Sequence, residues 1–180
     1  MVGMEKRSAL FALVAFLYCI VFPFIARAAH TLNPKEEQTV EAWLRRHSGF
    51  RQATDADCGC ERDIQLMRTG SGGIWKPVPD YHPYLATGDF NGDGNRDLAV
   101  VVVDTAKRRH NFTLLVFNGP VDSADPTPTF VCSNLDLIGS GLFYGSPRPK
   151  PFRLVLGRFE SEGRVLVPRG RTYRFADMNP

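Results

Sequence analysis

The chain has 180 residues, of which 43% are hydrophobic and 23% charged, and it carries a formal net charge of +3. A chain of this length holds one domain that buries roughly two-thirds of its unfolded surface, so a core that depends on a partner is excluded. The charge excess is small and gives no argument for a nucleic-acid partner.

The N-terminus reads as a secretory signal. Glu5, Lys6 and Arg7 precede an uncharged apolar run from Ala9 to Ile25, and Ala26-Arg27-Ala28 offers small residues at the places a signal peptidase reads. The run has 17 residues and contains Pro23, whereas a spanning helix needs about 20 apolar residues. Cleavage after Ala28 is expected, leaving residues 29–180 as a single globular domain, secreted or periplasmic, with no membrane attachment. Without the signal the count is 19 basic against 18 acidic residues.

A helix is expected next. Asn33 can cap it, Pro34 suits its first turn, and Glu36 and Glu37 favour the positive end of the helix dipole. Val40, Trp43, Leu44 and His47 share one face, Arg45 and Arg46 lie near the end, and Gly49 is a natural stop. His47 reads as a packing or capping residue. Residues 50–83 are less regular: Asp63–Met67 fits a short helix or a strand, and Pro77, Pro79 and Pro83 interrupt regular structure. Trp75, Tyr81, Pro83 and Tyr84 form an aromatic-proline stretch that reads as packing over a sheet edge.

From Tyr84 onward the pattern is that of strands. Tyr84–Phe90 and Asp97–Asp104 flank an acidic loop, and Ala99–Val103 is a run of the kind buried on both faces. Asn111–Asn118 is expected as the antiparallel neighbour. Shorter apolar pieces follow at Phe130–Cys132, Leu135–Ile138 and Leu142–Tyr144. Pro147, Pro149 and Pro151 favour an extended connector. Phe152, Leu154 and Leu156 share one face, and Arg164–Val167 and Arg171–Phe175 close the chain as two more strands. The expected class is α+β, mainly antiparallel β with an N-terminal helix.

Three cysteines lie beyond the signal. Export favours disulfides. Cys58 and Cys60 read as too close for an easy mutual bridge, so the expected pair is Cys60–Cys132 or Cys58–Cys132, with the third cysteine left over. Residues 148–174 hold eight basic residues and two acids, Glu160 and Glu162. Because the arginines alternate with apolar residues, this stretch reads as a solvated face rather than a binding stripe.

The strongest chemical signal is Gly88-Asp89-Phe90-Asn91-Gly92-Asp93-Gly94-Asn95-Arg96-Asp97. Asp89, Asn91, Asp93 and Asp97 stand at positions 1, 3, 5 and 9, and the Asn95 carbonyl fills position 7. Calcium takes six to eight oxygen ligands in a forgiving geometry. Oxygen side chains at odd positions of a coiled loop can converge on one centre, and Gly94 permits the sharp turn. Arg96, at an even position, should leave the loop. Position 12 is Val100 rather than an acidic residue, and the flanks read as strands, so this is not an EF-hand. Asp97 is therefore expected as the late, two-oxygen ligand.

Tyr84–Val103, with its Gly-Asp-Phe-Asn-Gly-Asp-Gly core followed by Asp97-Leu98-Ala99-Val100, resembles the calcium loop of FG-GAP/VCBS-type repeats. These occur in integrin α-chain propellers and many exported bacterial proteins. The resemblance covers about twenty residues. It implies structural calcium held by Asp89, Asn91, Asp93, Asn95 through its carbonyl, and Asp97. The unit is intact once, with a faint echo at Gly157-Arg158-Phe159 followed by Val165-Leu166-Val167. A complete propeller is therefore not expected.

The chain lacks HExxH, GxSxG, P-loop and GxGxxG motifs. The leading functional expectation is a non-enzymatic exported calcium-binding domain that binds a protein or glycan. A small secreted hydrolase, or an inhibitor or adaptor of an envelope enzyme, is the alternative. His82 is near enough in sequence to reach the loop.

Overall fold

The computed structural model describes residues 32–71, 76–122, 124–145, 153–159, 161 and 163–178. The expected signal segment, the 147–151 connector and Trp75 lie outside these residues. Among the described residues no helix is long and apolar enough to cross a membrane.

The first helix, α1 (Pro34–Arg46), begins where its signals place it. Asn33 Oδ1 accepts from the Lys35 and Glu36 N–H groups, while Glu36 reaches back to the Asn33 N–H at 2.7 Å. This reciprocal pair satisfies donors that the first turn otherwise leaves open. His47 ends the helix, with Nδ1 2.8 Å from the Trp43 carbonyl and its ring stacked on Trp43 at 3.9 Å. A short strand, β1 (Phe50–Gln52), and a single 3-10 turn at Asp55–Asp57 follow. The ambiguous stretch beyond is helical: α2 (Glu61–Thr69) ends on Gly70 in the left-handed region.

Two antiparallel sheets make up the rest. The first contains β1, β2 (Leu85–Gly88), β3 (Asp97–Asp104), β4 (Phe112–Phe117) and β5 (Phe130–Leu135). β1 and β2 share one edge of β3: β1 pairs along Val102–Asp104 and β2 along Asp97–Val100. The second sheet is the meander β6 (Ser140–Phe143), β7 (Leu154–Arg158), β8 (Gly163–Arg169) and β9 (Thr172–Asp177). The fold is therefore α+β and mainly antiparallel β, and neither sheet closes into a barrel or propeller.

The apolar run in β3 is buried on both faces because two different layers cover it. Leu98, Val100 and Val102 face Val40 and Trp43 of α1. Ala99, Val101 and Val103 face the second sheet through Leu142, Leu154, Leu156 and Leu166, with Ile64 of α2 in the same core. Burying each such side chain contributes about 1.5–3 kcal/mol. A period of two along one strand thus joins α1, the first sheet and the second sheet in that order. Tyr81 and Tyr84, at 1% and 2% exposure, are core residues, which agrees with the packing expected of their stretch.

The disulfide departs from expectation. Cys58 bonds Cys60, and Cys132 is the free thiol, so neither the Cys60–Cys132 nor the Cys58–Cys132 bridge forms. Gly59 explains the difference. Its φ of 59° lies in the left-handed region, which folds the three residues back and brings the two Cα atoms to 5.1 Å.

Candidate functional site

The Asp89–Asp97 loop is built on a two-strand base. Gly88 pairs with Asp97, so residues 89–96 emerge from one end of β2 and β3. Phe90 anchors the loop from within: it is fully buried and meets the edge of Tyr144 at 5.0 Å. The Tyr144 hydroxyl donates to the Asp89 carbonyl at 2.8 Å. Its ring lies across Gly88 so closely that a β-carbon there would come within 2.0 Å of a ring carbon. Gly88 is therefore needed for the approach of Tyr144, a role distinct from the turns at Gly92 and Gly94, where φ is 84° and 86°.

The acidic side chains organise the loop backbone. Asp89 Oδ1 accepts from the N–H groups of Gly92 and Asp93 at 2.6 and 3.0 Å, and its Oδ2 accepts from Gly94 at 2.9 Å. Asn91 Oδ1 accepts from the Asp93 N–H at 2.9 Å, and Asp93 Oδ1 from the Asn95 N–H at 2.7 Å. The Asn95 backbone donor, then the Asn91 side chain, hold the Asp93 carboxyl below the usual carboxylate range. The expected ligands Asp89, Asn91, Asp93 and Asn95 are thus gathered in one exposed coil.

Asp97 belongs to the same loop but is fully buried. Its Oδ2 accepts from the Phe90 N–H at 2.8 Å and its Oδ1 from the Gly119 N–H at 2.8 Å. The Tyr173 hydroxyl of β9 lies 3.4 Å from Oδ2 and donates to Asn118 Oδ1 at 2.7 Å. Burial raises the Asp97 carboxyl above its ordinary value, the Gly119 and Phe90 donors pull it back part of the way, and the Asp93 charge adds to the rise. Two-oxygen ligation of a cation by Asp97 would share its oxygens with these partners.

Arg96 leaves the loop, as its even position implies, and reaches α1. Its Nε donates to Glu36 Oε1 at 2.7 Å. Glu36 is only 1% exposed, so one carboxylate both caps α1 and ties that helix to the loop.

The donor set fits a hard divalent cation in its chemistry. Every candidate ligand atom is oxygen, and a carboxylate has about four lone-pair sites, so the N–H groups described leave acceptor capacity on Asp89 and Asp93. Among the described residues no group of three or more His, Cys, Asp or Glu side chains is drawn together as around an ion. The carboxylates are turned onto the loop's own N–H groups instead.

His82 lies elsewhere. Its Nδ1 is 2.9 Å from Asp55 Oδ1, and Arg68 bonds both Asp55 and the Tyr81 carbonyl. Burial works against the Asp55 charge, but the His82 and Arg68 hydrogen bonds outweigh it and lower its carboxyl pKa. Asp55 and His82 border a cavity of about 410 Å³ that Thr54, Tyr84 and Leu85 also line. Sequence reading missed the trio because its members stand 13 and 27 residues apart and share no motif.

The echo falls on an equivalent hairpin. Gly157 pairs with Gly163 across β7 and β8, as Gly88 pairs with Asp97 across β2 and β3. The second turn is shorter and has Arg158 where the first has Asp89.

Comparison with family models, with curated proteins and with solved structures gives no match for this chain. The resemblance to FG-GAP/VCBS repeats rests on the loop residues themselves.

Proposed function

We propose that this chain is an exported calcium-binding domain in which the ion is structural and the folded surface binds a protein or glycan. The observation that carries this reading is the Asp89–Asp97 coil, an all-oxygen donor set seated on the end of a buried strand pair. The ion would be held by Asp89, Asn91, Asp93, the Asn95 carbonyl and Asp97. It would neutralise three carboxylates that otherwise repel one another within nine residues. Through Asp97 it would bear on the core, because that side chain reaches both the Asn118–Gly119 turn and Tyr173. The apolar segment at residues 9–25 supports export.

The rival reading with an observation behind it is a hydrolase built on Asp55 and His82, a pairing that orients an imidazole. Of the hydroxyls on that cavity wall, Thr54 donates to Asp57 at 2.9 Å and Tyr84 to the Leu137 carbonyl at 2.8 Å, so neither is prepared as a nucleophile. The inhibitor or adaptor reading has no observation that favours it over the first.

The test is thermal unfolding of the purified protein in excess calcium and in chelator, beside Asp93→Ala. At calcium a hundredfold above Kd, linkage adds about 2.7 kcal/mol. For a domain of this size that is a rise in Tm of roughly 5–10 °C. Asp93→Ala should not respond. A wild-type Tm that is the same in calcium and chelator overturns the reading.

A further inference from the structure

At the end of β3 opposite the loop, the connection to β4 carries Lys107, Arg108, Arg109 and His110 in succession, all exposed. The Asp104 N–H donates to the Asn111 carbonyl at 2.7 Å, and His110 has a φ of 48°, which closes the hairpin tightly and projects the basic run. The strands behind it are core strands, so the run stands on a rigid base. Lys107 is answered by Asp104 at 3.1 Å and by Asn134 Oδ1 at 2.9 Å. Arg108 and Arg109 meet no acidic partner among the described residues.

Asn134 leads from this tip into a cleft of about 410 Å³. Asp136 lines it from the β5–β6 turn, and Arg158, Arg164 and Asp177 line it from the second sheet. These four charged residues make no ion pair with one another. The Arg164 guanidinium lies 4.3 Å from the centre of the Phe175 ring. Stacking covers one face of that group and leaves its N–H edge for a planar anion. Glu160 and Glu162, which follow Arg158 in the sequence, lie outside the described residues.

A basic tip alone would suit any polyanion. The cleft narrows the choice, because its carboxylates and its amide accept O–H groups while its guanidinium groups donate to carboxylates. A phosphate surface, whether nucleic acid or bilayer, offers few hydroxyl donors for Asp136 and Asp177 to engage. A chain of uronic acids offers hydroxyls and carboxylates on every ring. We propose that this end of the molecule binds an acidic polysaccharide of the uronate type, with Arg108 and Arg109 capturing the chain and the cleft seating one of its sugars. The proposal rests on the binding-module reading above and is independent of the calcium site at the other end of β3.

The test is calorimetric titration of the full chain with oligogalacturonate, with neutral dextran, phosphatidylglycerol vesicles and duplex DNA as comparators. Saturable binding of oligogalacturonate that weakens with salt is expected, with none to dextran. The double variant Arg108→Gln/Arg109→Gln and the single variant Arg164→Gln should each lose about tenfold in affinity, the loss expected on removing charge-assisted contacts, at an unchanged Tm. Absence of binding, wild-type affinity in both variants, or equally tight binding to DNA or vesicles overturns the proposal. Asp93→Ala should bind oligogalacturonate as the wild type does, so failure of the calcium reading and failure of this one appear in different titrations.

Discussion

Asp57 and Asp97 are carboxylates whose surroundings push them in opposite directions. Burial raises the Asp97 carboxyl, and the N–H groups of Gly119 and Phe90 pull it back part of the way. Asp57 is gripped first by the Arg51 guanidinium at 2.8 Å, and donors on Thr54 add to the effect, so its carboxyl lies well below the usual range. A depressed folded pKa means that the group stabilises the fold above its unfolded value of about 3.9 and loses that contribution as pH falls from there through the lower folded value. Arg51 is half exposed, and solvent screening limits the pair to about 1 kcal/mol. Asp57→Asn should therefore lower the urea midpoint at neutral pH, and the gap to wild type should narrow progressively as pH falls below about 4. A gap of constant size at all pH values would assign the loss to packing rather than charge. At this scale the sequence is legible where partners are local. The hydrogen bonds that coil the Asp89–Asp97 loop lie within nine consecutive residues, whereas Glu36 looks like a simple dipole residue until Arg96, 60 positions away, is seen against it.

Among the elements, legibility follows the strength of local signals. α1 has a cap, a first-turn proline and an apolar face, and its start is evident from the chain alone. β3 and β4 read as strands because tertiary burial agrees with β-branched composition. β1 has three residues and exists because the edge of β3 beyond β2 is open to it, which no local pattern encodes. The disulfide is the sharpest case. A two-residue separation looks prohibitive on the assumption of ordinary backbone, and one glycine with positive φ removes the obstacle. Peptide mapping without reduction should give a segment holding Cys58 and Cys60 that is lighter by two hydrogens and inert to iodoacetamide, while Cys132 is alkylated on denaturation. A cross-linked peptide joining Cys132 to either residue would contradict this arrangement. The bond closes a very small ring, so its entropic contribution lies at the low end of the range for disulfides. Its local effect is to fix the turn where Gly139 donates to the Cys58 carbonyl at 2.8 Å.

Across the molecule, the loop and the second sheet are joined through one carboxylate. β2 and β3 present the loop, Asp97 turns inward from its last position, and the Tyr173 hydroxyl meets both Asp97 and Asn118. An ion held by the loop would restrain Asp97, and that restraint would pass to β9 by contact rather than along the chain, across 76 residues of sequence. Hydrogen exchange can follow this, since local opening is read amide by amide. Calcium should slow exchange in residues 85–104 and, with it, in β9 at Thr172–Asp177, while α2, which makes no hydrogen bond to the loop among the described residues, stays unchanged. Tyr173→Phe keeps the ring packed against Phe130 and removes only the hydroxyl. In that variant calcium should still protect β2 and β3 but should no longer protect β9. If β9 responds equally in both proteins, the coupling runs through general stability of the shared core. If it responds in neither, Asp97 anchors the loop without transmitting its state to the second sheet.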